Sequence, residues 1–270
     1  MDLWLQAIFF GVIQGLTEYL PISSTGHIRV TAAFLGVPDP GAAFSAVTQV
    51  GTALAVAIYF RTELASIFRV ATGKSIDLQE RLLFKQMFVA TVPIVLVGVL
   101  FADFFRNGAR DLRIVATTLI FFGLILFLVD AKAKSSRTQH DIKTKDALLI
   151  GIAQSFALIP GVSRSGATIT MARLLGLNRV AAARVSFLLS MPAILLAAVF
   201  ELRQIGVDSS FLWYHTLVAS IIAFILGYLT IDFMLRWLAK HSFNVFVIYR
   251  VALGVLIFAL IYFFNLNPLG

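Results

Sequence analysis

Gln14-Gly15-Leu16-Thr17-Glu18-Tyr19-Leu20-Pro21-Ile22-Ser23-Ser24-Thr25-Gly26-His27 lies inside an otherwise apolar N-terminal segment. It brings a carboxylate, an amide, a run of hydroxyls and an imidazole into that setting. A charge at the centre of a bilayer costs about 2.5–3.5 kcal/mol on insertion scales, so intramembrane ionisable groups are read as functional by default. A second stretch answers the first: Gln154-Ser155-Phe156-Ala157-Leu158-Ile159-Pro160-Gly161-Val162-Ser163-Arg164-Ser165-Gly166-Ala167-Thr168. Sliding the chain by 140 positions, without a gap, superposes Gly11 on Gly151, Gln14 on Gln154, Ser23 on Ser163 and Gly26 on Gly166. At the same offset Thr25 falls on Ser165 and Ser24 on Arg164. Each half of the chain carries half of a site.

The surroundings of these stretches point to a membrane. Of 270 residues, 59% are hydrophobic and only 13% charged, and the mean hydropathy is +0.91. That composition belongs to a polytopic membrane protein. The net charge of +8 reads as cationic loops on the inner membrane face and not as a nucleic-acid footprint. Without cysteine there is no disulfide, thiolate metal site or cysteine nucleophile. Met1-Asp2-Leu3-Trp4 lacks the basic region of a cleaved signal peptide, so the first apolar segment is expected to be retained.

Along the chain, residues 3–20 form an apolar segment that Pro21 interrupts, since proline lacks a backbone donor and disfavours helix before it. Ser23 or Ser24 then caps a short segment reaching about Leu35. Full spans are expected at 42–60, 86–104 and 113–130, with a polar connection over 61–85. The segment 131–146 reads as a cytoplasmic linker between a first repeat, 1–130, and a second, 147–270. In the second repeat 147–159 and 166–176 are again short, divided by Pro160-Gly161. Neither crosses a hydrocarbon core of about 30 Å at 1.5 Å per residue. Spans at 184–201, 213–234 and 245–264 follow. The expected fold is an all-α polytopic membrane protein with six full transmembrane helices and two re-entrant helix pairs. A broken backbone at that depth is tolerated only where protein or a cavity surrounds it. Val89-Ala90-Thr91 with Gly98 resembles Val218-Ala219-Ser220 with Gly227, and Gly123 to Phe127 resembles Gly254 to Phe258, which carries the repeat further.

Lys and Arg fix the orientation. The connections 61–85, 130–146, 177–184 and 236–244 hold 14 of them; residues 1–2, 36–41, 103–113 and 201–212 hold 4. The first set is cytoplasmic by the positive-inside rule. The two re-entrant pairs then enter from opposite faces, and the repeat is inverted, an arrangement that places a site near the midplane where the repeats meet.

Gln14 and Glu18 share a helical face. Ser23-Ser24-Thr25-Gly26 and Ser163-Arg164-Ser165-Gly166 each place hydroxyls and backbone donors at a helix N-terminus, which suits phosphate. Arg164 adds a planar, permanently charged fork, and His27 is placed to move a proton. Two facing anion sites with one carboxylate and one histidine suit hydrolysis of a diphosphate. Plainer readings stand beside this one. Ser23, Ser163 and Ser165 also read as helix caps, Gly26 and Gly166 as close-packing glycines, Gln14 as an interhelical hydrogen bond, and Glu18 with Arg164 as a structural ion pair. Arg173, Arg179 and Arg184 read as inner-face anchors. Inverted repeats with broken helices also describe transporters, so a transporter or flippase for a phosphorylated lipid or anion is the alternative.

Gln14-x-x-x-Glu18, Leu20 to His27, Pro160 to Thr168 and Ala181-Ala182-Ala183-Arg184-Val185-Ser186-Phe187 together resemble the undecaprenyl-diphosphate phosphatase family, also called the bacitracin-resistance protein family. The resemblance implies a multi-pass enzyme of the bacterial inner (cytoplasmic) membrane. Such an enzyme hydrolyses undecaprenyl diphosphate to undecaprenyl phosphate and inorganic phosphate, recycling the carrier for cell-wall synthesis. Bacitracin competes by sequestering that lipid. A divalent cation, Mg2+ or Ca2+, is implied, with Glu18 and Gln14 as metal-binding positions. Carried over by position, Glu18, Ser24, His27 and Arg164 are catalytic: Ser24 the nucleophile, His27 in proton transfer. Ser23, Thr25, Gly26, Ser163, Arg164, Ser165 and Thr168 hold the diphosphate. Many members have glutamate where this chain has Gln14, which leaves Glu18 the sole acid of its motif. Serine attack and attack by activated water both remain open.

Overall fold

The structure, a computed structural model, describes residues 1–102, 104, 111–202 and 211–268. Six of its helices are long and apolar enough to span a bilayer: α3 (Gly41–Tyr59), α5 (Leu78–Leu100), α6 (Leu112–Lys132), α9 (Arg179–Glu201), α10 (Trp213–Leu238) and α11 (Asn244–Phe263). Their outer faces leave large side chains such as Phe88, Leu96, Phe121, Phe233 and Ile248 uncovered, as a surface facing lipid requires. The protein is a multi-pass membrane protein, and no strand occurs among the described residues.

Four of the five shorter α-helices among the described residues are α1 (Leu3–Thr17), α2 (Ser24–Leu35), α7 (Thr144–Ser155) and α8 (Arg164–Leu174). They come as two broken pairs, and the breaks are built alike. Ser23 has φ 75° and Ser163 φ 72°, values that a residue with a Cβ rarely adopts. Each serine accepts a hydrogen bond from the backbone N–H three residues on, Gly26 at 3.3 Å and Gly166 at 3.1 Å. At the second break Gly161 takes φ 90° against α6, where a methyl would strike the Thr118 hydroxyl and come within 2.6 Å of Val115 O.

The halves interlock. α1 packs on α10, and a methyl at Gly11 would come within 2.7 Å of Ala219 O. α7 packs on α5, and a methyl at Gly151 would collide with Ala90. Gly11 matches Gly151 and Ala219 matches Ala90 in the sequence repeat, so matched positions make matched contacts. α6 packs on α11, and α3 lies between α9 and α10.

The spans fall within a few residues of their expected limits except at the connection over 61–85, which is partly helical. α4 (Arg61–Ala71) occupies its first part, and α5 begins at Leu78, eight residues early. Asp77 explains that start: its Oδ1 accepts from the N–H groups of Gln79 and Glu80. Most of the connections expected over 103–113 and 201–212 lies outside the described residues. Arg173 is no surface anchor. It is 1% exposed, and its Nε donates to Asp130 Oδ1 at 2.8 Å, with Arg179 on the same carboxylate at 3.0 Å. A buried arginine needs such a partner. Arg184 pairs with Glu63 at 2.6 Å.

Candidate active site

Glu18 ends α1 and is 5% exposed. Its side chain gathers groups from three elements. Oε2 accepts from Gln14 Nε2 at 2.5 Å, one turn back on α1, and from Ser24 Oγ at 2.6 Å, the first residue of α2. Oε1 pairs with the Nη2 of Arg164, the first residue of α8. Arg164 Nη2 also lies 3.4 Å from Gln49 Oε1 on α3. The two turns therefore touch through one carboxylate. Gly26 also lies against Gly161, with 3.5 Å between a methyl at Gly26 and the Gly161 Cα.

These groups line one end of a cavity of about 500 Å³. Glu18, Ser23, Ser24, Thr25, Gln49, Ser163 and Arg164 form the polar end. Ile94, Val95 and Val99 of α5, Leu158, and Leu196 and Phe200 of α9 supply apolar wall. The helix interiors hold Pro93 and Pro192, each directly before a lining residue, Ile94 and Ala193. Charges at the polar end sum in favour of an anion. Glu18 and Arg164 cancel, and the N-termini of α2 and α8 each contribute about half a positive charge.

The structure brings together six of the positions expected from the sequence: Glu18, Ser23, Ser24, Thr25, Ser163 and Arg164. Gln14 stands behind Glu18, fully buried, and its Oε1 has no donor. Gly26 sits in the first turn of α2, off the cavity. Ser165 turns away; its Oγ donates to Leu20 O at 2.9 Å and lies 3.2 Å from Ser163 Oγ. Thr168 Oγ1 donates to Arg164 O at 2.8 Å and meets Ser186 Oγ at 2.5 Å, which holds the first turn of α8 to α9. His27 also points elsewhere. Its Nδ1 lies 2.7 Å from Ser23 O, a carbonyl that only accepts, so Nδ1 carries the proton. Its Nε2 lies 2.7 Å from the Tyr249 hydroxyl, with the rings stacked at 5.4 Å.

Two residues were not singled out from the sequence. Gln49 lines the cavity, and an amide within an apolar span was the signal for it. Arg250 lies fully buried beneath both turns; a lone cation inside the span 245–264 was a stronger signal.

Among the described residues no three His, Cys, Asp or Glu side chains converge. The atoms near Glu18 able to ligate a metal are oxygens, and the unpartnered Gln14 Oε1 is one of them. Such a set fits a hard divalent cation that takes its remaining ligands from substrate phosphates.

Residues 7–256 match the family described as Bacitracin resistance protein BacA. The chain is 47% identical to "Undecaprenyl-diphosphatase 2" of Frankia casuarinae, over 96% of this chain and 94% of that one. It is 44% identical to "Undecaprenyl-diphosphatase" of Thermobifida fusca, over 98% and 92%. It is 40% identical to the protein of that name in Bifidobacterium adolescentis, over 97% and 96%.

Proposed function

Because the chain belongs to the bacitracin resistance protein BacA family, we propose that its cavity is where undecaprenyl diphosphate is cleaved, with the diphosphate between the N-termini of α2 and α8. The activity itself is hydrolysis of undecaprenyl diphosphate to undecaprenyl phosphate and inorganic phosphate. The transporter reading is not favoured, since relatives across the whole chain are named for hydrolysis. One observation carries the assignment of the site: Ser24 Oγ donates at 2.6 Å to the same carboxylate that Arg164 pairs with, at the polar end of an apolar cavity.

In this reading the incoming diphosphate draws the Arg164 fork from Glu18 onto its own oxygens, and the backbone donors of α2 and α8 take others. Freed of Arg164, the Glu18 carboxylate is left to accept the proton of the Ser24 hydroxyl, which already donates to it at 2.6 Å. Ser24 Oγ bonds to the terminal phosphorus as the bond from that phosphorus to the bridging oxygen breaks. Undecaprenyl phosphate leaves with the bridging oxygen, and Glu18 holds the proton. Water then splits the phosphoserine, releasing inorganic phosphate. Glu18 and Gln14 Oε1 are the groups that would hold Mg2+ or Ca2+, which when bound neutralises phosphate charge. His27 acts in this scheme by orienting the Ser23 peptide, since its ring faces Tyr249.

The inverted repeat, the two re-entrant pairs and residence in the inner membrane belong to the same proposal. The matched contacts of Gly11 and Gly151 support the repeat, and the excess of Lys and Arg on one set of connections supports the orientation. Bacitracin competes, on this view, by sequestering the lipid that the cavity takes.

The test uses a short-chain polyprenyl diphosphate labelled in its terminal phosphate, in detergent, where no second compartment exists. Rapid acid quench is expected to leave label on Ser24. Ser24→Ala with wild-type turnover would assign the attack to water.

A further inference from the structure

Arg250 of α11 is fully buried, and no described carboxylate pairs with it. Its guanidinium instead donates to five backbone carbonyls. Nη1 reaches Pro21 O at 3.1 Å. Nη2 reaches Gly161 O at 3.1 Å, Val162 O at 2.9 Å and Thr118 O at 3.3 Å. Nε reaches Leu119 O at 3.2 Å. Pro21 and Gly161 are 140 positions apart. They are the same place in the two repeats, so one side chain binds the equivalent carbonyl of both turns.

Room has been made for it. A methyl at Gly166 would come within 2.8 Å of Arg250 Nη1, whereas one at Gly123 would only touch it, at 3.4 Å from its Cβ. The late repeat that pairs Gly123 with Gly254 pairs Leu119 with Arg250. The cation is thus supplied once, from the second half, and its counterpart position supplies a carbonyl to it. The held carbonyls sit next to strain. Val162 O belongs to the peptide that leads into Ser163, and Pro21 lies two residues before Ser23, the two non-glycine residues at positive φ that cap α8 and α2. Such conformations persist only where the surroundings over-determine them. Only a five-donor planar fork has a donor for each of five carbonyls on three segments.

We propose that Arg250 is a positioning residue that sets the separation of the two turns, and that this separation makes the site select a diphosphate over a monophosphate. The inference rests on the reading that the diphosphate spans the N-termini of α2 and α8. A monophosphate needs only one of them; a diphosphate gains from both only while their spacing matches its two phosphorus centres.

The experiment measures, in detergent, inhibition by a short-chain polyprenyl methylenebisphosphonate and by the corresponding monophosphonate, for wild type and Arg250→Lys, alongside thermal melting and steady-state kinetics. Lysine keeps the charge and loses the fork. Wild type is expected to prefer the bisphosphonate by about tenfold or more, and Arg250→Lys to lose that preference while holding the monophosphonate within about threefold, with kcat down about 100-fold. A merely structural arginine would weaken both inhibitors alike or lower only the active fraction. Should Arg250→Lys fail to fold, Gly123→Leu, whose Cβ alone would already touch Arg250 at 3.4 Å, crowds the same side chain with its charge intact, and a smaller fall in the same ratio is expected. A ratio unchanged from wild type in the folded variant overturns the role of Arg250. A wild type without preference overturns the spanning of the two turns, before any variant is compared.

Discussion

Glu18 pairs with Arg164 and accepts a hydrogen bond from Ser24, and in the proposed mechanism these demands conflict: Arg164 stabilises its charge, and Ser24 needs it to take a proton. In the proposed mechanism, exchanging Arg164 onto substrate resolves the conflict, and the carboxylate becomes reactive only when a diphosphate is present. Glu18→Gln keeps the shape and one acceptor oxygen, turns the other oxygen into an N–H2 donor, and takes up no proton at neutral pH. Turnover is expected to fall by about 100-fold or more with the melting temperature kept within a few degrees; near-normal turnover in the purified variant would leave Glu18 a structural partner of Arg164. Arg164→Lys keeps a charge and loses the fork that matches two phosphate oxygens. It should lower kcat by about 100-fold and move KM less, because the fork matters most as charge shifts in the transition state. A rise in KM with kcat intact would make Arg164 a binding group alone. At this scale the sequence was legible where charge stood out against hydrocarbon, as at Glu18 and Arg164. It was less so where a polar residue reads alike as ligand or as scaffold. Ser165 and Thr168 carry the motif and spend their hydroxyls on Leu20 O and Ser186, while Gln49 carries no motif and reaches the cavity from α3.

The broken pairs are the elements on which the site depends, and their breaks are specified more tightly than a proline requires. Gly161 combines φ 90° with contact against Thr118 and Val115, whereas Gly36 combines φ 63° with open space. Backbone strain alone costs an alanine about 1 kcal/mol at either place. Only Gly161→Ala must also displace α6 or the turn, and a displaced turn moves Arg164. Gly36→Ala is therefore expected to shift melting by a few degrees and leave kcat near wild type, and Gly161→Ala to lose both stability and turnover. Parallel melting curves and assays decide it; equal, mild effects would mean that the second turn is not held against α6. The helix limits show the same division between local and tertiary causes. Breaks at Pro21 and Pro160 were legible because proline chemistry is local. The early start of α5 came from the Asp77 cap in a stretch whose charge reads as loop, and α4 is helical despite four charged or hydroxylated residues among its first six.

For the whole molecule, two halves of one sequence pattern exchange their packing partners, α1 onto α10 and α7 onto α5, so neither half closes its own core. An inverted orientation makes this exchange natural, since related helices then run oppositely and each broken pair fills the groove left by the other half. Because the chain has no cysteine, single cysteines report orientation without background. Pro38 follows α2 and Lys145 lies in the first turn of α7; both are exposed, and neither belongs to the site. If the repeats are inverted, a membrane-impermeant maleimide should label Pro38→Cys in intact cells. Lys145→Cys should be labelled only after the membrane is opened, in keeping with the 14 Lys and Arg on its side against 4 on the other. Labelling of both variants in intact cells, with a cytosolic control protein unlabelled, would place the two broken pairs on one face. The repeats would then run in parallel, and Ser24 and Arg164 could meet only through a different path of the chain from the one inferred here.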